Sequence, residues 1–193
     1  MQARALLTAI LFEAIIGFVA VLLGWIVGPN PLDRIHLRAL DLLWGLLGLL
    51  PMLLVFFLIS RLSWPSMRLI RTRLDETLGP LFDNLAWFDL LLLSALAGVC
   101  EELAFRGWLE GWLAGMLHPV IALIIANLLF GAAHWITTTY AIIAALMGAL
   151  LSAANLYFDN LLVPVTIHAV YDFIALYWYQ RDRLQTQTPG QVS

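Results

Sequence analysis

Apolar runs alternate with polar or proline-bearing breaks along the whole chain. The first run, roughly 5–27, stops at "GPNPLD" (28–33), whose two prolines and Asn30 encode a turn. Others cover about 40–60, 89–112, 119–138, 140–157 and 161–180. Each is close to the ~20 residues that a helix needs to cross a bilayer. The pattern predicts an all-α fold, a polytopic membrane helical bundle of about six transmembrane helices. Between the second and third runs lies "RLSWPSMRLIRTRLDETLG", where Met67, Leu69, Ile70 and Leu74 form an apolar stripe. That spacing predicts a short amphipathic helix on the membrane surface.

Composition agrees with the pattern. The chain has 193 residues, 62% hydrophobic and 12% charged, where soluble domains run near ~25% charged. No polar stretch is long enough to bury a core of its own. A single integral-membrane domain over 1–185 is expected, with its motifs in a core over 89–180 and a polar, disordered tail over 186–193. The first apolar run is too long for a signal-peptide core and lacks a clear cleavage site. Cys100 is the sole cysteine, which excludes an intrachain disulfide. Its apolar setting suits a buried small hydrophobe.

Charge adds an orientation. All ten cationic side chains are arginines. With six spans, Arg4, Arg61, Arg68, Arg71, Arg73, Arg181 and Arg183 fall on one side, and Arg34 and Arg38 on the other. The positive-inside rule makes both termini cytoplasmic. Gly107, Gly111 and Gly115 recur at four-residue spacing, which predicts close helix packing within the monomer.

The third run carries the chemistry. "VCEELAFRGWLEGW" places Glu101, Glu102 and Arg106 inside a span. Glu101 falls about 18 Å into it at 1.5 Å per residue. A charge at that depth costs roughly 2.5–3.5 kcal/mol even on lenient scales. Glu102 and Arg106 stand four apart, acid first, so an ion pair along one helix face is expected. Glu101 is turned about 100° away and is the carboxylate left for chemistry.

Its companions lie in later spans. "NLLFGAAH" puts Asn127, Phe130 and His134 on one helix face, and "IHAVYD" puts His168 and Asp172 four apart. A carboxylate beside imidazoles can take a proton from water, while a second acid fixes the imidazole tautomer. Alternatively Glu101, His134 and His168 bind Zn²⁺ with one position open to water. Spacing does not separate these two chemistries.

Together "EELAFR" (EExxxR), "FGAAH" (FxxxH) and "HAVYD" (HxxxD) resemble the motifs of the CAAX prenyl protease and bacteriocin-processing (CPBP, Abi) family of intramembrane endopeptidases. The resemblance implies peptide-bond hydrolysis within the membrane, with Glu101 activating water and His134 and His168 assisting. It places Glu102 and Asp172 in the site as well. Arg106, Phe130 and Asn127 are expected to support and orient it. Asp172 stands where that family carries Asn or Asp. An ionised Asp would repel an oxyanion, so orienting His168 or joining a metal site is its expected role. The implied partners are a peptide or membrane-protein substrate and membrane lipids, without nucleic acid. The compact size suggests a bacterial or cyanobacterial cell membrane.

Other polar positions have plainer readings. Glu13 lies close enough to the end of the first run to hydrate, and is set outside catalysis. His36 and His118 are expected in solvated loops, and Asp159 and Asn160 in a turn. Intramembrane Glu, Arg, His and Asp also suit a transporter or proton-coupled carrier, although no inverted-repeat halves are visible. A catalytically silent scaffold of the same family is the other alternative.

Overall fold

A computed structural model describes residues 2–82 and 85–187, and among these every regular element is helical. α1 (Gln2–Ile26) ends at the turn that the two prolines impose. A 3₁₀ turn, Pro31–Arg34, follows, with Asn30 accepting from the Leu32 amide. Next come α2 (Ala39–Ser60), α3 (Pro65–Thr77) and the short α4 (Gly79–Phe82). α5 (Trp87–Glu102) continues without a break through a π-helical stretch, Leu103–Leu109, into α6 (Glu110–Ala114). α7 (Pro119–Ala133), α8 (Thr138–Phe158) and α9 (Leu162–Gln187) complete the bundle.

The expected runs appear as these helices, with two differences. The third is not a regular helix, because it widens into a π-helix where the charged motif sits. The fourth ends at Ala133, five residues early, because His134 adopts φ −94°, ψ 25° and closes α7. Ala3–Ile26, Ala39–Ser60, Thr138–Phe158 and Leu162–Thr186 are long and apolar enough to cross a membrane, and Pro119–Ala133 is a shorter apolar helix. α9 runs two residues past the expected boundary at 185, and 188–193 of the expected tail lie outside the described residues.

Small residues set the helix seams. An added Cβ at Gly98 would stand 2.7 Å from the Ala169 amide, so α5 and α9 meet almost backbone to backbone. Gly45 meets Thr166 where α2 packs on α9, Gly131 meets Ala141 and Ala145 where α7 packs on α8, and Gly17 meets Cys100 where α1 packs on α5. Without water to expel, such close van der Waals contact is what holds helices together in lipid. The outward faces carry Phe12, Phe18, Trp25, Leu54 and Leu128, as a hydrocarbon solvent requires. These features make the chain an integral membrane protein.

Of the three expected close-packing glycines, Gly107 and Gly111 lie against Pro31 and Pro29, whereas Gly115 meets only its own helix. α3 forms where the amphipathic helix was expected. Met67 and Ile70 are buried, but Leu69 points outward. Asp159 terminates α8 in the left-handed conformation, φ 46°, which Asp tolerates better than most residues. Asn160 is more than a turn residue. Fully buried, it donates to Asp41 (2.6 Å) and the His36 carbonyl (2.8 Å) and accepts from the His36 amide. His118 likewise caps α7 by accepting from the Val120 amide at 3.3 Å.

Candidate active site

Two carboxylate–imidazole pairs form where α5, α7 and α9 converge. In the first, His134 Nε2 lies 3.5 Å from Glu101 Oε2. The ring is fixed from behind, since Nδ1 lies 2.9 Å from the Phe130 carbonyl one turn earlier. A carbonyl only accepts, so Nδ1 carries the hydrogen and Nε2 is the atom turned towards Glu101. Phe130 also packs on the His134 ring, centroids 4.4 Å apart. The FxxxH spacing thus ends the helix, sets the tautomer and supports the ring together.

The second pair joins Glu102 and His168, with Oε1 and Nδ1 at 2.8 Å. His168 Nε2 lies 3.4 Å from Asp172 Oδ2, so both ring nitrogens face carboxylates. Glu102 Oε1 also accepts from Arg106 Nη1 at 2.8 Å, the expected ion pair. Arg106 is 1% exposed and Glu102 0%. Burial of such a pair is tolerated best when the remaining hydrogens and lone pairs find partners. Arg106 Nη2 donates to Asn127 Oδ1 (3.2 Å) and to the Gly148 carbonyl (2.9 Å), while Glu102 Oε2 is buried with no hydrogen-bond partner among the described residues. The guanidinium also stacks on Phe130, 4.3 Å from the ring centroid, a cation–π contact.

The expected site residues are therefore brought together, but not as one cluster. Glu101 pairs with His134, while His168 is held by Glu102 and Asp172. This donor set does not fit the three-ligand zinc arrangement of Glu101, His134 and His168. His168 has no ring nitrogen turned away from a carboxylate. Among the described residues, no three His, Cys, Asp or Glu side chains converge as metal ligands.

Sequence reasoning missed one acid. Glu110, 6% exposed, accepts from Ser152 Oγ at 2.6 Å. It stands four after Arg106, as Arg106 stands four after Glu102, so the acid–base–acid ladder was a readable signal. Glu13, expected to hydrate and set outside catalysis, is half-buried. It lies on the stripe of α1 that faces α5, one turn before Gly17, and its Oε2 is buried with no hydrogen-bond partner among the described residues. Glu101, His134, His168 and Asp172 are its electrostatic neighbours.

Two cavities border His134. One, about 400 Å³, lies between α1, the π-helical stretch and α7, with Phe12, Phe105, Trp108 and Glu101 in its walls. The other, about 260 Å³, includes Asp172, Tyr140, Tyr171 and Trp178 and extends to Ser60 and Arg71. Both linings are mainly apolar, so the carboxylate–imidazole groups are polar points in greasy walls.

Fold and site define a class: a helical membrane protein with paired acids and imidazoles where its helices converge. Residues 83–174 match the Rce1-like family, described as type II CAAX prenyl endopeptidase Rce1-like. The matched segment is just under half of the chain and contains all three motifs, which bears out the resemblance they carry. No curated protein and no solved structure matches the chain.

Proposed function

We propose that the protein is an intramembrane endopeptidase that hydrolyses peptide bonds through a water activated by Glu101 and His134. The match over 83–174 supports peptidase chemistry in general. The observation that carries the finer reading is the 3.5 Å separation of His134 Nε2 and Glu101 Oε2 at the junction of two cavities. That spacing is too long for a good direct hydrogen bond. It suits a water that contacts both groups at once.

Glu101 then takes a proton from the water as its oxygen attacks the scissile carbonyl carbon. The carbonyl electrons move onto oxygen, and His134, whose Nε2 can accept the water's second hydrogen, is the group placed to orient that water. Collapse of the tetrahedral intermediate breaks the C–N bond, and the proton held on Glu101 passes to the departing amine. His168, held between Glu102 and Asp172, supplies a second imidazole beside the reacting groups. Asp172 orients that ring rather than receiving the oxyanion, because a carboxylate would repel it.

The substrate is a peptide or membrane protein presented as extended chain, since a helix keeps its amides bonded. Its apolar side chains, or a prenyl group of the kind the family description names, suit the greasy walls of the two cavities. The cavity that reaches Ser60 and Arg71 opens towards the arginine-rich segment, which supports access from the cytoplasmic side with both termini there. A cleavage assay in liposomes tests this reading, with peptides drawn from leader sequences and lipidated tails. Wild type should release defined products by mass spectrometry. Folded Glu101→Gln and His134→Ala should release none above background. Motif-dependent solute flux without peptide products would favour a carrier instead.

A further inference from the structure

The π-helical stretch delivers a second buried acid, Glu110, to a part of the bundle that the proposed reaction does not use. A chain of buried side chains links it to the site. Ser152 Oγ donates to Glu110 Oε2 (2.6 Å), Asn127 Nδ2 donates to Ser152 Oγ (3.0 Å), and Arg106 Nη2 donates to Asn127 Oδ1 (3.2 Å). Arg106 Nη1 donates to Glu102, which also meets His168 Nδ1. Ser152 is fully buried, Asn127 is 5% exposed, and no member of the chain from Glu110 to His168 exceeds 6%.

The chain has one direction. Arg106 can only donate, so Asn127 turns Oδ1 to it and gives an Nδ2 hydrogen to Ser152, whose single hydroxyl hydrogen is then committed to Glu110. The Ser152 oxygen must then accept from Asn127. The other Asn127 Nδ2 hydrogen goes to the Leu123 carbonyl at 2.9 Å. With both amide hydrogens assigned, Oδ1 can only face Arg106. Reversing the amide would set NH₂ against guanidinium, donor against donor. The donor-only Arg106 and the acceptor-only Leu123 carbonyl thus fix the Asn127 amide, and Glu110 is the acceptor that ends the chain by taking the Ser152 hydrogen.

We propose that Glu110 is a positioning residue for the Glu102–His168 pair, acting through Ser152, Asn127 and Arg106. The proposal rests on the peptidase reading for its effect on turnover, but not for its effect on geometry. Glu110→Leu removes the acceptor that ends the chain. Ser152→Ala cuts the chain without removing a charge. Glu110→Gln is the conservative variant, because its amide oxygen can still accept from Ser152 while Asn127 stays fixed between Arg106 and the Leu123 carbonyl.

The experiment has two readouts on full-length protein in detergent, each with thermal unfolding to certify the fold. For turnover, Glu110→Leu and Ser152→Ala should lower kcat about 10- to 100-fold with KM little changed, as small misplacements of a reacting group do. Glu110→Gln, which keeps an accepting oxygen for Ser152, should recover most of the loss, which a merely structural role would not predict. For geometry, the low-field proton resonance of His168 Nδ1–H on ¹⁵N-histidine-labelled protein should shift or broaden in Glu110→Leu and Ser152→Ala and return towards wild type in Glu110→Gln. Folded Glu110→Leu and Ser152→Ala proteins with an unchanged resonance would overturn the proposal, as would Glu110→Gln no better than Glu110→Leu. If Glu110→Leu does not fold, Ser152→Ala alone decides by the same resonance. If wild type cleaves nothing, the peptidase reading falls, while the resonance still tests the chain.

Discussion

Glu102 and His168, 66 residues apart in sequence, meet at 2.8 Å between α5 and α9. Gly98 makes this contact feasible. It lies one turn before Glu102 and lets α5 approach Ala169, the neighbour of His168, to backbone distance. Sequence, seam and site are thus one feature.

Gly98→Ala should therefore damage site and fold together. Its Cβ would sit 2.7 Å from the Ala169 amide, and backbone cannot move aside cheaply. Overpacking of this kind typically costs about 1–3 kcal/mol. Gly115→Ala is the control, since its Cβ would meet only its own helix, at 3.4 Å or more. Thermal unfolding in detergent should separate the two, with Gly98→Ala melting lower and Gly115→Ala close to wild type.

Arg106→Met should be among the most destabilising single changes. It removes the partner of a fully buried carboxylate, and stranding such a charge costs about 3–5 kcal/mol. Arg106→Lys should fall between Met and wild type. One ammonium cannot reproduce the planar fork that serves Glu102, Asn127 and Gly148 at once. Arg106→Met melting at the wild-type temperature would contradict the assigned pair.

Gly148→Ala probes the same network from α8. Its Cβ would stand 2.6 Å from Asn127 Oδ1 and 2.7 Å from Arg106 Nη2. Activity should fall with little loss of expression, because side-chain atoms can give way where backbone cannot. Kinetics on purified protein would check this, and unchanged kcat would argue that Arg106 tolerates displacement.

Phe130→Leu keeps apolar volume but removes a ring that touches both Arg106 and His134. The lost cation–π contact is worth about 0.5–2 kcal/mol, more when desolvated. Phe130→Tyr should retain it if the hydroxyl can be housed. Comparing the two variants by unfolding and by turnover separates ring chemistry from bulk.

The apolar runs made the helices legible, since length and hydropathy alone determine what can cross lipid. The intramembrane charges made the site legible because each is too expensive to lie there idly. Three features were not legible. The early stop of α7 comes with a His134 ring bonding back to the Phe130 carbonyl, a local choice of backbone conformation that the apolar run does not reveal. The π-helical stretch leaves no mark in the run Leu103–Leu109, which also suits an ordinary helix. The division of the site, His134 to Glu101 and His168 to Glu102, depends on helix register across seams that only packing reveals. Glu13 shows the same limit. Distance along the chain suggested hydration, and the half-burial that leaves its Oε2 unpartnered beside α5 is set by packing.

The central claim is that Glu101 and His134 act on one shared water. A double-mutant cycle on kcat tests it most directly, with wild type, Glu101→Gln, His134→Ala and the double variant, all shown to be folded. Each single change should reduce kcat by about 10²–10⁴-fold, and the double variant should be little worse than the more damaging single. Losses that simply multiply, or a folded Glu101→Gln that cleaves at the wild-type rate, would contradict the account.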